Sequence, residues 1–491
     1  MAALALAGLV LAAVAALRSA EYDEQYTLFL TAGTARPIWP AVPLSAGKAR
    51  ALQDGDATMA GIARDLRASD VHPPLYFWAL AAWRRLAGHG LFAARLFSVG
   101  CSLGALAAVA TIAARVGVPP ALAVLLTLGC YGFAYTGAIA RGFALAQMLT
   151  LCGVAAALGA VRSRKWIAAV LAGTLLGAAT FANYLAGFVA GGVLLFLMRG
   201  SFRRSTVPIA AFAFSLWLPF DLWFFLAQRD SRPGQFPPFH LIEAAPRLAK
   251  FLVANIFGAL PLYASGLLSA SVGFAIAGLA VALSAVVIRG WSSIGTPYYR
   301  LILAVGAAAP AIGLLLLGAA FNNTPIELRY LSFGAPFAAV LLAGAINSLK
   351  LRVRITMLGV LSIFQTASLV GLAVAQPTMQ PARATILAAA ALIRDGVLLI
   401  PHGSDGVGIV GAVANEAPPS LPILVIREGE SAAAIRSRTQ GFSRVLLALI
   451  EQDEASRAAA PVMLAAFQTR CWRRAADGFN VVVFERVCEG E

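Results

Sequence analysis

The feature that most limits this chain is the return, again and again, of long apolar runs without charge. Residues 2–17, AALALAGLVLAAVAAL, are the first, and comparable runs recur to about residue 375. A helix of about 20 apolar residues spans a bilayer. In lipid only helices or closed barrels satisfy their own backbone. We read about eleven spans, at residues 2–19, 92–114, 119–139, 142–161, 166–182, 184–198, 206–226, 267–288, 301–320, 330–348 and 355–375. Only 12% of the residues are charged and 60% are hydrophobic, against about a quarter charged in soluble domains. The expectation is a polytopic α-helical membrane protein. Residues 2–17 could also be a secretory leader. No basic segment precedes them, however, and RSA offers Arg18 where cleavage needs a small residue, so the run is expected to stay as the first helix.

The net charge of +15 is gathered in short clusters between apolar runs, such as RSRK (162–165), RGSFRR (199–204) and KLRVR (350–354). Basic clusters between spans mark the cytoplasmic side, so no nucleic-acid partner is expected. With the N-terminus inside, Arg115, Arg289, Arg300 and all three clusters fall on that side. Two intermediate segments, 73–88 and 245–264, are then interfacial helices along the outer leaflet. If both crossed, the count would rise to 13 with parity unchanged. The external face receives loop 20–91, the Ala140–Gly142 turn, the Asn183 turn, loops 227–266 and 321–329, and everything after about residue 376. The chain therefore divides into a transmembrane domain, 1–376, and a soluble extracytoplasmic domain, 377–491. In the second, GVLLIP (396–401), LPILVI (421–426) and FNVVVFERV (479–487) read as strands. PARATILAAAALIRD (381–395) and FSRVLLALIEQ (442–452) read as helices, giving a small α/β domain. Cys101, Cys130 and Cys152 lie in apolar runs and read as packing residues. Cys471 and Cys488 lie in the external domain, where a disulfide is permitted; a bond and two separate buried thiols both remain open.

Chemistry-bearing residues collect at the external ends of spans. Glu21, Asp23 and Glu24 follow the first apolar run in EYDEQYTLFL, and SDVHPPLYFW (69–78) closes the same loop. A carboxylate at a partly dry membrane edge can serve as a general base, and the same three acids could equally cap a helix. Pro73-Pro74 holds His72 in extended backbone. Arg141 and Arg329 stand where spans meet the outside, against the positive-inside tendency. Guanidinium forks match phosphate oxygens, and snorkelling to lipid head groups is the plainer alternative.

Together these segments resemble the GT-C membrane glycosyltransferases, in particular the family-39 group of protein O-mannosyltransferases and lipid A aminoarabinose transferases. The likeness rests on YDEQYT, HPPLYFW, RLFSVGCSLGAL (95–106), ARGFALA (140–146), ANYLAGF (182–188) and ELRYLSFGAP (327–336), in order over the membrane region. It fades in the C-terminal domain. The resemblance implies an inverting transfer of sugar from a polyprenyl-phosphate donor to a lipid, glycan or protein acceptor at the outer face of a bacterial cytoplasmic membrane. It implies Asp23 as the base or acceptor-orienting carboxylate, with Glu24 in support. It implies His72, Arg141 and Arg329 near the carrier phosphate, with Tyr26, Asn183, Tyr184 and Tyr330 in the substrate-binding set. Phe143 stands where the family has Tyr, and ANY replaces the commoner THY. No cofactor is required, and a divalent metal is left open because the ligand spacing is not diagnostic. A flippase or transporter of an anionic lipid-linked sugar would use the same arginines, and a surface-polysaccharide polymerase or ligase would share the donor.

Overall fold

A computed structural model describes residues 1–199, 206–228, 237–258, 266–324, 326–374, 383–392, 396–451, 453–478 and 480–488. Apart from Arg199, the RGSFRR cluster lies outside them, as do parts of loops 227–266 and 321–329 and the start of the C-terminal tail. The chain forms two compact units. One comprises Met1–Leu17, Ala63–Ala79 and Arg95–Ala373; the other comprises Arg18–Ile62, Leu80–Ala94 and Val374–Glu491.

The first unit is helical. Every apolar run read as a span in it contains a helix, but length and composition sort them. Six helices among the described residues are long and apolar enough to cross a membrane, and eight count if each of two broken pairs is one span. Trp166–Ala182, Ala186–Arg199 and Ala335–Asn347 have only 17, 14 and 13 residues. They make up the difference from eleven. The expected single span 119–139 is instead two helices, Pro120–Gly129 and Tyr131–Ala138, bent by 74°. Cys130 takes extended backbone between them. Gly129 and Gly132 lack the side chains that would meet Gln365 and Asn255, which come up against the break. Small residues also let helices approach elsewhere, as transmembrane packing requires: a Cβ on Gly173 would fall on the Ala210 carbonyl. Buried Arg95 donates from Nη1 to Ala15 O at 2.8 Å. The 73–88 and 245–264 segments contain helices Leu75–Ala87 and Leu241–Phe257.

The second unit is built on a six-stranded sheet. Its strands are β1 (Leu44–Ser45), β2 (Gly396–Pro401), β3 (Pro422–Ile426), β4 (Arg444–Ala448), β5 (Trp472–Gly478) and β6 (Val481–Arg486), in the order β1-β3-β2-β4-β6-β5. β2 is parallel to β3 and β4, and the remaining pairs are antiparallel. Strands covered on both faces read as continuous apolar runs, and all six residues of β2 are buried. Period-2 alternation puts Val397, Leu399, Leu424, Ile426, Val445 and Leu447 in one core cluster with Phe467 and Phe484. β4 corrects the sequence reading, which made FSRVLLALIEQ helical. A short apolar run has no decisive period, and here RVLLA is buried between β2 and β6. Cys471 and Cys488 are bonded, with Cα atoms 4.8 Å apart.

The first loop enters this unit through β1. It is fastened further by Arg84, 1% exposed, which donates to Leu28 O at 3.0 Å, Thr31 Oγ1 at 2.5 Å and His89 O at 2.9 Å, and to Gln53 O. Four acceptors satisfy a buried cation that would otherwise be costly. Asn415 Nδ2 donates to Gln25 Oε1 at 2.9 Å and Gln53 Oε1 at 2.8 Å, tying the loop to helix Gly408–Glu416.

Candidate active site

The acidic motif opens helix Tyr22–Ala32 in the second unit. Glu21 is its N-cap, and the two glutamates form a capping box: the Glu21 side chain accepts from Glu24 N, while Glu24 Oε2 accepts from Glu21 N at 2.9 Å. Such a box satisfies two orphan donors at once. Arg18 Nε donates to Glu21 Oε1 at 2.8 Å, and Ala20 N donates to Glu416 Oε1 at 2.6 Å. Glu24 is fully buried. Asp23 takes no part in the box. It stands half-buried in the first turn, where the helix dipole favours an ionised carboxylate. Tyr22 Oη donates to Asp453 Oδ2 at 3.1 Å, and Tyr26 is buried. Burial alone would raise Asp453. The N–H groups of Ser404 and Ser456 and the hydroxyls of Ser456 and Tyr22 hold it below the usual carboxylate range.

The basic part belongs to the first unit. Arg141, 5% exposed, lies in the turn between helices Tyr131–Ala138 and Phe143–Ser163. The turn sits close to the end of helix Trp166–Ala182, because a Cβ on Gly142 would stand 2.9 Å from the Ala182 carbonyl oxygen. Arg141 Nη2 is 3.3 Å from His72 Nε2, and His72 Nδ1 is 3.2 Å from Asp70 Oδ1. Gln228 Nε2 donates to His72 O at 2.8 Å and Leu66 O at 3.1 Å. The Tyr184 hydroxyl donates to Gln228 Oε1 at 3.0 Å, and Asn183 Oδ1 accepts Leu185 N at 3.1 Å. Tyr184 thus reaches His72 through Gln228, while Asn183 caps its own turn.

Arg329 and Tyr330 sit in the 3-10 turn Leu328–Phe333 that precedes helix Ala335–Asn347. Arg329 Nε is 2.6 Å from Glu327 Oε2. Burial pushes the Glu327 carboxyl up to about 7, against the pull of Arg247 and Arg141. The Tyr330 and Phe143 rings are stacked, 6.2 Å apart at 25°. Phe143 therefore exchanges a hydroxyl for packing against Tyr330. Among the described residues no group of three or more His, Cys, Asp or Glu could hold a metal ion.

No family model and no curated protein matches the chain. Among solved structures, ArnT from Cupriavidus metallidurans bound to undecaprenyl phosphate is similar, with a TM-score of 0.55 and 13% identity, over 99% of this chain and 98% of that one. The chain has the GT-C fold. ArnT from the same organism in the apo state aligns with a TM-score of 0.49 and 14% identity, over 94% of this chain and 96% of that one. An oligosaccharyltransferase from Archaeoglobus fulgidus aligns at 0.46 and 12% identity, over 91% and 68%. Within this GT-C fold, Asp70, Gln228, Arg247 and Glu327 adjoin the basic residues and were not singled out from the sequence. Asp70 and Glu327 each stand two residues from one that was, a spacing that could have drawn them in. Gln228 carried no signal, because it meets His72 only through the tertiary fold.

Proposed function

We propose that this chain is an inverting glycosyltransferase. It moves a sugar from a polyprenyl-phosphate carrier to a lipid, glycan or protein acceptor at the outer face of the bacterial cytoplasmic membrane. The observation that carries the reading is the end-to-end likeness in fold to a protein crystallised with undecaprenyl phosphate. Buried Arg141 and half-buried Arg329 support it. Asp23 takes the proton of the acceptor hydroxyl as the new bond to the anomeric carbon forms. The carbon–oxygen bond to phosphate breaks on the opposite face, and polyprenyl phosphate leaves. A positioned base contributes about 10²–10⁴-fold to such a step. Arg141 and Arg329 hold the phosphate as it gathers charge, the preorganised electrostatics that most transfer reactions need. Glu24 supports Asp23 through the capping box, and Tyr26 and Tyr330 shape the substrate site. The carrier tail lies among helices of an eleven-span membrane domain with a cytoplasmic N-terminus. This explains why reactive groups gather at span ends: the bond to be broken rises only to the interface.

Purified protein incubated with a panel of polyprenyl-phosphate sugars and membrane lipids, followed by mass spectrometry, tests the proposal. A product bearing the sugar is expected. Movement of the lipid-linked sugar across vesicles without any product would replace it with the transporter reading. The break at Cys130 suits broken-helix transporters. Asn255, Gln365 and Ser332, which come up against it, are neutral.

A further inference from the structure

We propose that Asp70 and His72 form a clamp that positions Arg141 through a neutral acceptor. Asp70 fixes His72 as the Nδ1–H tautomer, and the bare Nε2 receives the guanidinium. This deepens the function proposed above and rests on Arg141 meeting the donor phosphate. Arginine has only donors, so the contact from Arg141 Nη2 to His72 Nε2 at 3.3 Å requires that this nitrogen carry no proton. The other ring nitrogen, 3.2 Å from the carboxylate oxygen of Asp70, must then be the donor. A hydrogen bond at one nitrogen decides the state of the other. The elements around the ring hold it in place. Asp70 is fully buried, and its N–H donates to Leu66 O at 3.0 Å, continuing helix Met59–Ser69. Gln228 grips the His72 carbonyl and is itself oriented by Tyr184. Pro73-Pro74 stiffens the other side.

The choice of histidine has a consequence for charge. A carboxylate at position 72 would orient Arg141 equally well while placing a negative charge beside the group meant to attract phosphate. Imidazole supplies the same acceptor and adds no charge of its own. Asp70 supplies the anion that sets the tautomer, and the ring keeps it one step removed from the guanidinium. Glu327, whose carboxylate touches Arg329 directly, shows the other arrangement in the same unit. Asp70 and His72 are thus positioning residues that act through Arg141.

The chain has four histidines, few enough for a ¹⁵N-histidine spectrum of the full-length protein in nanodiscs, with His72→Gln identifying the signal. The expected spectrum at neutral pH shows protonated Nδ1 and unprotonated Nε2 for His72, and loss of that pure tautomer in Asp70→Asn. A protonated Nε2 in the wild type overturns the clamp, and this reading needs no variant to bind ligand. The second measurement is affinity for undecaprenyl phosphate, with uncharged undecaprenol as control. His72→Gln keeps an uncharged acceptor and should bind at least about tenfold more tightly than His72→Glu, which is similar in size. Equal affinities for the two variants, both still folded, overturn the proposal. Wild-type protein that binds undecaprenyl phosphate no better than undecaprenol overturns the donor reading, and with it the purpose of the clamp.

Discussion

Asp23 and Glu24 are neighbours made for different work. Glu24 is buried and spent on the capping box, so its loss should be felt first in folding. Asp23 is outside the box, and Asp23→Asn keeps its size while removing the ability to take a proton. Turnover should fall by about 10²-fold or more, equivalent to about 3 kcal/mol of transition-state stabilisation. Donor affinity should change little. Transfer rate and donor binding in nanodiscs check this, and near wild-type transfer would return Asp23 to a helix-end role. Glu327 makes a prediction of its own. Burial raises its carboxyl from 4.5 to about 7, so the native state binds the extra proton between those values. The stabilisation from that proton is complete below about 4.5, declines as pH rises and is gone above about 7. Glu327→Gln removes the titration. Its melting temperature relative to wild type should therefore rise between pH 5 and pH 8, and a constant difference in thermal scans across that range would contradict the assignment.

At the scale of elements, most helices were legible because their signal is local: an uncharged run needs no partner to declare itself. What failed needed tertiary information. The break at Cys130 depends on Gln365 and Asn255 arriving beside two glycines. RVLLA became β4 because two neighbouring strands claimed it. In the candidate site, His72, Arg141 and Arg329 were visible as polar groups at span ends. Gln228 was not, since its role is set by where helix Leu218–Gln228 ends in space. The sheet carries a further prediction. Cys471 and Cys488 are separated by 17 residues in sequence, and their bond clips the ends of β5 and β6. Closing a loop of that size is worth about 3 kcal/mol in the unfolded-chain model. Replacing both by serine should lower unfolding stability by about 2–4 kcal/mol, and non-reducing peptide mapping of wild type should recover the two peptides joined.

At the scale of the whole molecule, one short strand constrains how the chain threads the bilayer. β1, from the first loop, pairs with β3, from the C-terminal segment, through Leu44 with Ile423 and Ser45 with Pro422. Hydrogen-bonded strands cannot reach each other through hydrocarbon, so both segments occupy the same side, and the number of crossings between them is even. Between residues 62 and 374, the described residues hold six helices long and apolar enough to cross, and counting the bent pair Pro120–Ala138 as one span makes seven, an odd number. One further crossing among the shorter helices would make that number even. All three together give ten, as the eleven-span topology requires. Cysteine labelling tests both side and parity. Gly55 is a poor probe, because a Cβ there would collide with the Ala32 carbonyl. Asp54 and Glu428 are exposed members of the second unit. Cysteines placed at each, in a background lacking Cys152, should react with an impermeant thiol reagent in intact cells. A cysteine at exposed Ser163, in the RSRK cluster, should react only after permeabilisation. Labelling of Asp54→Cys without Glu428→Cys would break the shared side, and labelling of Ser163→Cys in intact cells would invert the assignment of basic clusters to the cytoplasm.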